Sequence, residues 1–176
     1  MARYLFAHPH RPVMYPRLPL HGLHILRQDY DKGKYDDHQI TNKIAIFAHA
    51  DHARDQKTRK SMDSIFDILN GVIIDYKVAQ QNCIARHSTD AEIRTTFSAT
   101  KRAVYLFALA RFIDLQCANK PITIYQDSQP CIEVVESNAM SSRVKHTAVP
   151  VLYVHEQIAH DKIRMEYIKT AIQPAD

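Results

Sequence analysis

The chain has 176 residues, 45% of them hydrophobic and 24% charged, enough for one domain with its own core and too apolar for a disordered chain. Its net charge of +4 is compatible with a polyanionic partner without requiring one. No run of eighteen apolar residues and no signal-peptide core occurs, and Cys83, Cys117 and Cys131 are odd in number with no CxxC pair; the expectation is an intracellular protein with no membrane span, disulfide framework or zinc knuckle.

Residues 1–43 form one segment by composition. Prolines at 9, 12, 16 and 19 exclude helix interiors and central strands, and residues 28–43 are polar, so an extended arm followed by a solvent-facing loop is expected. Tyr35-Asp36-Asp37 lacks the spacing and apolar flanks of a polymerase's paired aspartates and is set aside. A first strand is predicted over 44–50, then a charged loop over 54–60. Two further strands, 64–69 and 72–77, flank Asn70-Gly71, a two-residue hairpin signal.

A long helix is predicted from Ser88 to Asp114, with Thr89 and Glu92 spaced as a capping box and Ile93, Phe97, Val104, Phe107 and Phe112 on its apolar face. A buried strand over 121–127 ends in Asp127. Helices over 129–137 and 149–160 and a last strand over 163–168 complete the order. Three strands, helix, strand, helix, helix, strand is an α/β pattern: a mixed sheet with an antiparallel three-stranded meander followed by βα units, helices on both faces.

Strand ends and helix starts converge on one edge of such a sheet, so His49, Asp51 and His52, Asp90 or Glu92, and Asp127 are candidates to share a cation there. Each has a structural alternative. Glu92 can serve the capping box and Asp127 can cap the next helix. A zinc site of His49, His52 and Asp51 is disfavoured, because positions three apart on a strand point to opposite faces.

The stretch 44–176 resembles the ribonuclease H domain of copia-type LTR retrotransposon polyproteins. Phe47-Ala48-His49-Ala50-Asp51-His52-Ala53-Arg54-Asp55 lies along that family's Y-S-D-A-D-W-A-G-D, and Arg59-Lys60-Ser61-Met62-Asp63-Ser64 along R-R-S-T-S-G. His87-Ser88-Thr89-Asp90-Ala91-Glu92-Ile93 follows S-S-T-E-A-E-Y, and Ile124-Tyr125-Gln126-Asp127-Ser128-Gln129 follows I-Y-x-D-N-Q. Ser142-Arg143-Val144-Lys145-His146-Thr147-Ala148 follows S-R-x-K-H-I-D, and Gln173-Pro174-Ala175-Asp176 follows Q-x-A-D. Arg3-Tyr4-Leu5 resembles the end of the preceding reverse transcriptase region, so the arm is expected to be a remnant of that tail.

The resemblance implies a ribonuclease H-like fold and hydrolysis of RNA in RNA/DNA hybrids, with Mg2+ (or Mn2+) held by carboxylates in a two-metal site. It implies the second, third and fourth carboxylates at Glu92, Asp127 and Asp176, and puts His49 where the first should be; Asp51 is two residues further on, displaced by about 6.6 Å along a strand. Lys57, Arg59, Lys60, Arg143 and Lys145 are the candidate phosphate contacts. Impaired hydrolysis is therefore expected, from a domain that stops at Asp176 before the helix that would follow it. The alternative is a non-catalytic nucleic-acid binder, and an upstream reverse transcriptase domain is a further expected partner.

Overall fold

A computed structural model describes residues 43–113, 120–137 and 147–176. Residues 1–42 of the expected arm, Cys117, Asp114, Arg143 and Lys145 lie outside the described residues.

The elements are β1 (Ile44–Asp51), β2 (Met62–Leu69), β3 (Val72–Gln80), α1 (Ser88–Phe112), β4 (Ile122–Gln126), α2 (Gln129–Glu136), α3 (Ala148–Ala159) and β5 (Ile163–Tyr167). They follow the expected sequence of types. One five-stranded sheet has the order β3-β2-β1-β4-β5. The meander pairs antiparallel, with Ile44 opposite Leu69 and Asp51 opposite Met62, while β1–β4 and β4–β5 are parallel. At the β2–β3 turn Asn70 (φ 52) and Gly71 (φ 80) are both left-handed, as a type I′ turn requires. Asn70 also ties the turn to the start of β1, its Oδ1 accepting from Lys43 N at 2.9 Å.

β1 is central and buried because both of its faces carry apolar side chains. Ile44, Ile46 and Ala48 pack with Ile65, Ile122, Ile124, Ile163 and Met165 against Ala99, Ala103 and Ala110 of α1, Val135 of α2 and Val154 of α3. On the opposite face Ala45, Phe47, Phe66, Ile68 and Tyr125 pack with Ile168 and Ala175, and the Phe47 and Tyr125 rings stack at 4.8 Å. Helices were expected on both faces; among the described residues all three bury side chains on the first, and the chain after β5 covers the second.

The sequence reading of α1 needs two corrections. Its N-cap is His87, whose Nδ1 accepts from Asp90 N at 3.1 Å, so Thr89 is inside the helix and Glu92 closes no capping box. Its buried face is made mainly of small residues, Thr96, Ala99, Thr100 and Ala103, which let the helix lie close to β1; of the expected apolar face, Ile93 is fully buried and Phe97 and Phe107 pack partly buried against the core, Phe97 also edge-on to the Tyr153 ring of α3, whereas Phe112 is exposed. Bulk alone is thus an incomplete guide to the side of the helix that faces the sheet.

Candidate functional site

The parallel register of β1 and β4 builds the site. Ala48 pairs with Gln126, so the next residue on each strand, His49 and Asp127, emerges at the same carboxyl edge. Asp127 is free to face His49 because Ser128, not Asp127, caps α2: the Ser128 side chain accepts from Cys131 N at 3.4 Å. From α1, Glu92 reaches down to the edge from the first turns of the helix. The chain after β5 returns over the sheet, where Gln173 Nε2 donates to Ala48 O at 3.0 Å and brings Asp176 beside β1.

His49 lies among the three carboxylates. Its Nδ1 is 3.4 Å from Asp127 Oδ1 and 3.6 Å from Glu92 Oε1, and its Nε2 is 3.5 Å from Asp176 Oδ1. Glu92 is fixed from behind, since its Oε2 accepts from Ala50 N and from Gln126 Nε2, both at 3.0 Å, which leaves Oε1 facing the imidazole. Gln126 also donates to Thr96 Oγ1 at 3.1 Å, and its Oε1 accepts from Asp127 N at 2.8 Å.

The charges shape one another. Burial disfavours the imidazolium of His49, but the Asp127 hydrogen bond and the charges of Glu92, Asp127 and Asp176 outweigh it, so its pKa is raised above 6.5. Burial pushes Glu92 up to about 7, opposed by the charge of His49 and reinforced by that of Asp127. For Asp127 burial acts upward, but His49, the Thr170 hydroxyl and its own backbone amide win and lower it.

His49, Glu92 and Asp127 have ligand atoms within 4.8 Å of one another, close enough to hold a metal ion. The oxygens suit a hard cation, but magnesium takes oxygen ligands in octahedral geometry, and here a ring nitrogen stands against all three carboxylates. The donor set therefore does not fit a carboxylate-bridged magnesium pair as it stands.

The other candidates separate from this cluster. Asp51 forms an ion pair with Arg54 at 2.6 Å, and His52 lies with Nε2 3.4 Å from Ala85 O, so His49, His52 and Asp51 do not converge into a zinc site. Asp90 is fully buried, paired with Arg94 at 3.0 Å and accepting from Arg86 N, which selects Glu92 as the helix carboxylate that reaches the edge. Lys57 and Arg59 are exposed and Lys60 half-buried on the loop that leaves the same end of β1. Asp55 holds that loop in shape by accepting from Lys57 N and Thr58 N at 2.8 Å.

Sequence reading missed the support behind Glu92. Buried Asp63 on β2 accepts from Thr95 Oγ1 at 2.6 Å and Gln81 Nε2 at 2.8 Å on one oxygen and from Lys77 Nζ at 3.1 Å on the other, pinning the start of α1 to the meander. No local pattern announces it, since Asp63 precedes the expected strand and Thr95 lies 32 residues away along the chain.

No protein-family model matches the chain. It is 28% identical over 131 residues to the retrovirus-related Pol polyprotein from transposon TNT 1-94 of Nicotiana tabacum, covering 74% of this chain and 10% of that protein. To the Pol polyprotein from transposon RE2 of Arabidopsis thaliana it is 24% identical, over 77% of this chain and 9% of the relative. The chain thus spans about a tenth of the length of the relatives it matches. Among solved structures, LC11-RNase H1 in complex with an RNA/DNA hybrid aligns with TM-score 0.53 and 10% identity over 75% of this chain and 89% of that one. The N-terminal ribonuclease H domain of a Mycobacterium tuberculosis protein aligns with TM-score 0.51 and 12% identity, over 74% and 85%. With the meander, the βα units and the clustered edge already described, these likenesses make the chain a distant homologue of the Pol polyproteins of copia-type retrotransposons, with a ribonuclease H-like fold.

Proposed function

We propose that residues 44–176 are a ribonuclease H-like domain of a retroelement Pol polyprotein, with an ancestral hybrid-cleaving site impaired by His49. The observation that carries the reading is the imidazole lodged between Glu92, Asp127 and Asp176 on the central strand, at the position where the family motif has its first carboxylate. Two cations about 3.5–4 Å apart need an anionic bridge between them. An imidazole offers one lone pair when neutral and a positive charge when protonated, so it supplies no such bridge.

Duplex binding does not depend on that ligand. Lys57 and Arg59 are exposed on the loop that follows β1, and with Lys60 and, from the sequence alone, Arg143 and Lys145, they are the cations offered to the phosphates of an RNA/DNA hybrid. Asp51, held by Arg54, is not a replacement for the first carboxylate. The preceding arm is assigned to the tail of a reverse transcriptase region, on its resemblance alone.

The test is a labelled RNA/DNA hybrid incubated with the full chain in Mg2+ and in Mn2+. Salt-dependent binding with weak or no cutting is expected, and Asp127→Asn abolishes any residual cutting. Robust Mg2+-dependent cleavage by the unaltered chain overturns the impairment, and robust cleavage that survives Asp127→Asn overturns the site assignment.

A further inference from the structure

We infer that the His49 cluster is a site for a single four-coordinate transition cation of the zinc class, in place of the magnesium pair. The inference rests on the grouping of His49, Glu92 and Asp127 in one site and goes beyond the proposed loss of magnesium chemistry.

Ligand spacing is the first observation. Bonds of about 2.0–2.2 Å from Zn2+ to nitrogen and oxygen set the edge of a tetrahedron at about 3.3–3.6 Å. His49 Nδ1 stands 3.4 Å from Asp127 Oδ1 and 3.6 Å from Glu92 Oε1, both within that range, and the ligand atoms of the whole set lie within 4.8 Å of one another, so a bound ion draws the set together by about 1 Å at most. Octahedral magnesium, with bonds of about 2.0–2.1 Å, needs neighbouring ligands only about 2.8–3.0 Å apart. An imidazole in the donor set moves preference the same way, since imidazole suits zinc and its neighbours while magnesium takes oxygen.

The surroundings give a second, independent observation. Metal-bound histidines usually present their other ring nitrogen to a carboxylate, which fixes the tautomer. With Nδ1 turned toward Glu92 and Asp127, His49 Nε2 faces Asp176 Oδ1 at 3.5 Å. Glu92 is oriented likewise, its Oε2 engaged by Ala50 N and Gln126 Nε2 while Oε1 stays on the His49 side. Three ligands from β1, α1 and the end of β4 leave the fourth position to water, the pattern of an open zinc site. Asp176 is a positioning residue here and not a ligand.

Co2+ titration of the metal-free full chain tests this, because four-coordinate Co2+ absorbs strongly in the visible and hydrated Co2+ does not. One equivalent is expected to bind with that spectrum, Zn2+ to displace it, and a thousandfold excess of Mg2+ to leave it in place. His49→Ala and Asp127→Asn are expected to remove the signal, His52→Ala to keep it, and Asp176→Asn to weaken affinity by about 10–100-fold. Should His49→Ala fail to fold by circular dichroism, His49→Asp serves instead and is expected to exchange the Co2+ preference for Mg2+. An absent signal, a signal unchanged in the His49 variant, or displacement by equimolar Mg2+ overturns the inference. Absence of both Co2+ binding and hybrid cleavage sinks this site alone and leaves the proposed impairment standing, whereas Mg2+-dependent cleavage by the unaltered chain sinks the impairment itself.

Discussion

Around His49 the protonation states are tied to one another, and their signs can be worked out singly. His49 has a folded pKa above 6.5, so its contribution to stability is complete below 6.5 and is lost as pH rises through the folded value. Glu92 keeps its proton up to about 7 in the folded state but loses it near 4.5 when unfolded, so it too takes stability away as pH rises between those values. Asp127 is lowered and acts oppositely, its contribution being present above 3.8 and lost as pH falls through the folded value. The thermal midpoint of the metal-free protein is therefore expected to fall as pH rises from 4.5 to about 7, and Glu92→Gln to flatten the decline. A midpoint that rises over that range contradicts the charge assignment. A second residue-scale prediction concerns Arg102, which donates to Asp67 Oδ2 at 2.9 and 2.6 Å and also pairs with Asp75. Burial raises the pKa of Asp67 despite Arg102, and its side chain is 3% exposed. Arg102→Ala leaves that carboxyl without its counter-ion and is expected to cost about 3–5 kcal/mol in urea unfolding. Asp67→Asn in the same background is expected to recover part of the loss.

Among the elements, those defined by period or turn chemistry were legible in the sequence, and the way they pack was not. Asn70-Gly71 located the hairpin of the meander, and every strand and helix over the described residues falls within a few residues of its expected bounds. β2 and β3 run longer than expected, to Met62 at one end and Gln80 at the other, because polar Asp63 is buried in a network whose partners are distant in sequence. The face of α1 was read only in part for a related reason: Ile93, Phe97 and Phe107 do meet the core, but the closest contact with the sheet selects Ala and Thr, and Phe112 is exposed. This makes Ala103, fully buried against the sheet, intolerant of bulk. Ala103→Leu is expected to destabilise by about 1–3 kcal/mol despite a gain in hydrophobicity. An unchanged unfolding midpoint would mean that the helix has room the packing does not show.

For the molecule as a whole, family motifs carried more of the site than local signals did. Glu92 and Asp127 each had a capping role that suited the local sequence, and only tertiary structure removes it, by giving the caps to His87 and Ser128. Asp176 comes to the edge through one long-range tether, Gln173 to Ala48, that no spacing rule encodes. The sheet thus gathers four residues from the central strand, the first helix, the end of β4 and the chain after β5 into one ring of charge. Among the described residues no helix is long and apolar enough to cross a membrane, in keeping with the absence of an apolar run in the sequence. On the proposed reading, function turns on the one member of that ring that is not a carboxylate, and the direct measurement is Mg2+-dependent cleavage of an RNA/DNA hybrid by the unaltered chain and by His49→Asp, with folding checked for both. The account predicts that the aspartate raises the rate by at least about tenfold, about 1.4 kcal/mol of barrier. Equal rates from two folded proteins would contradict it.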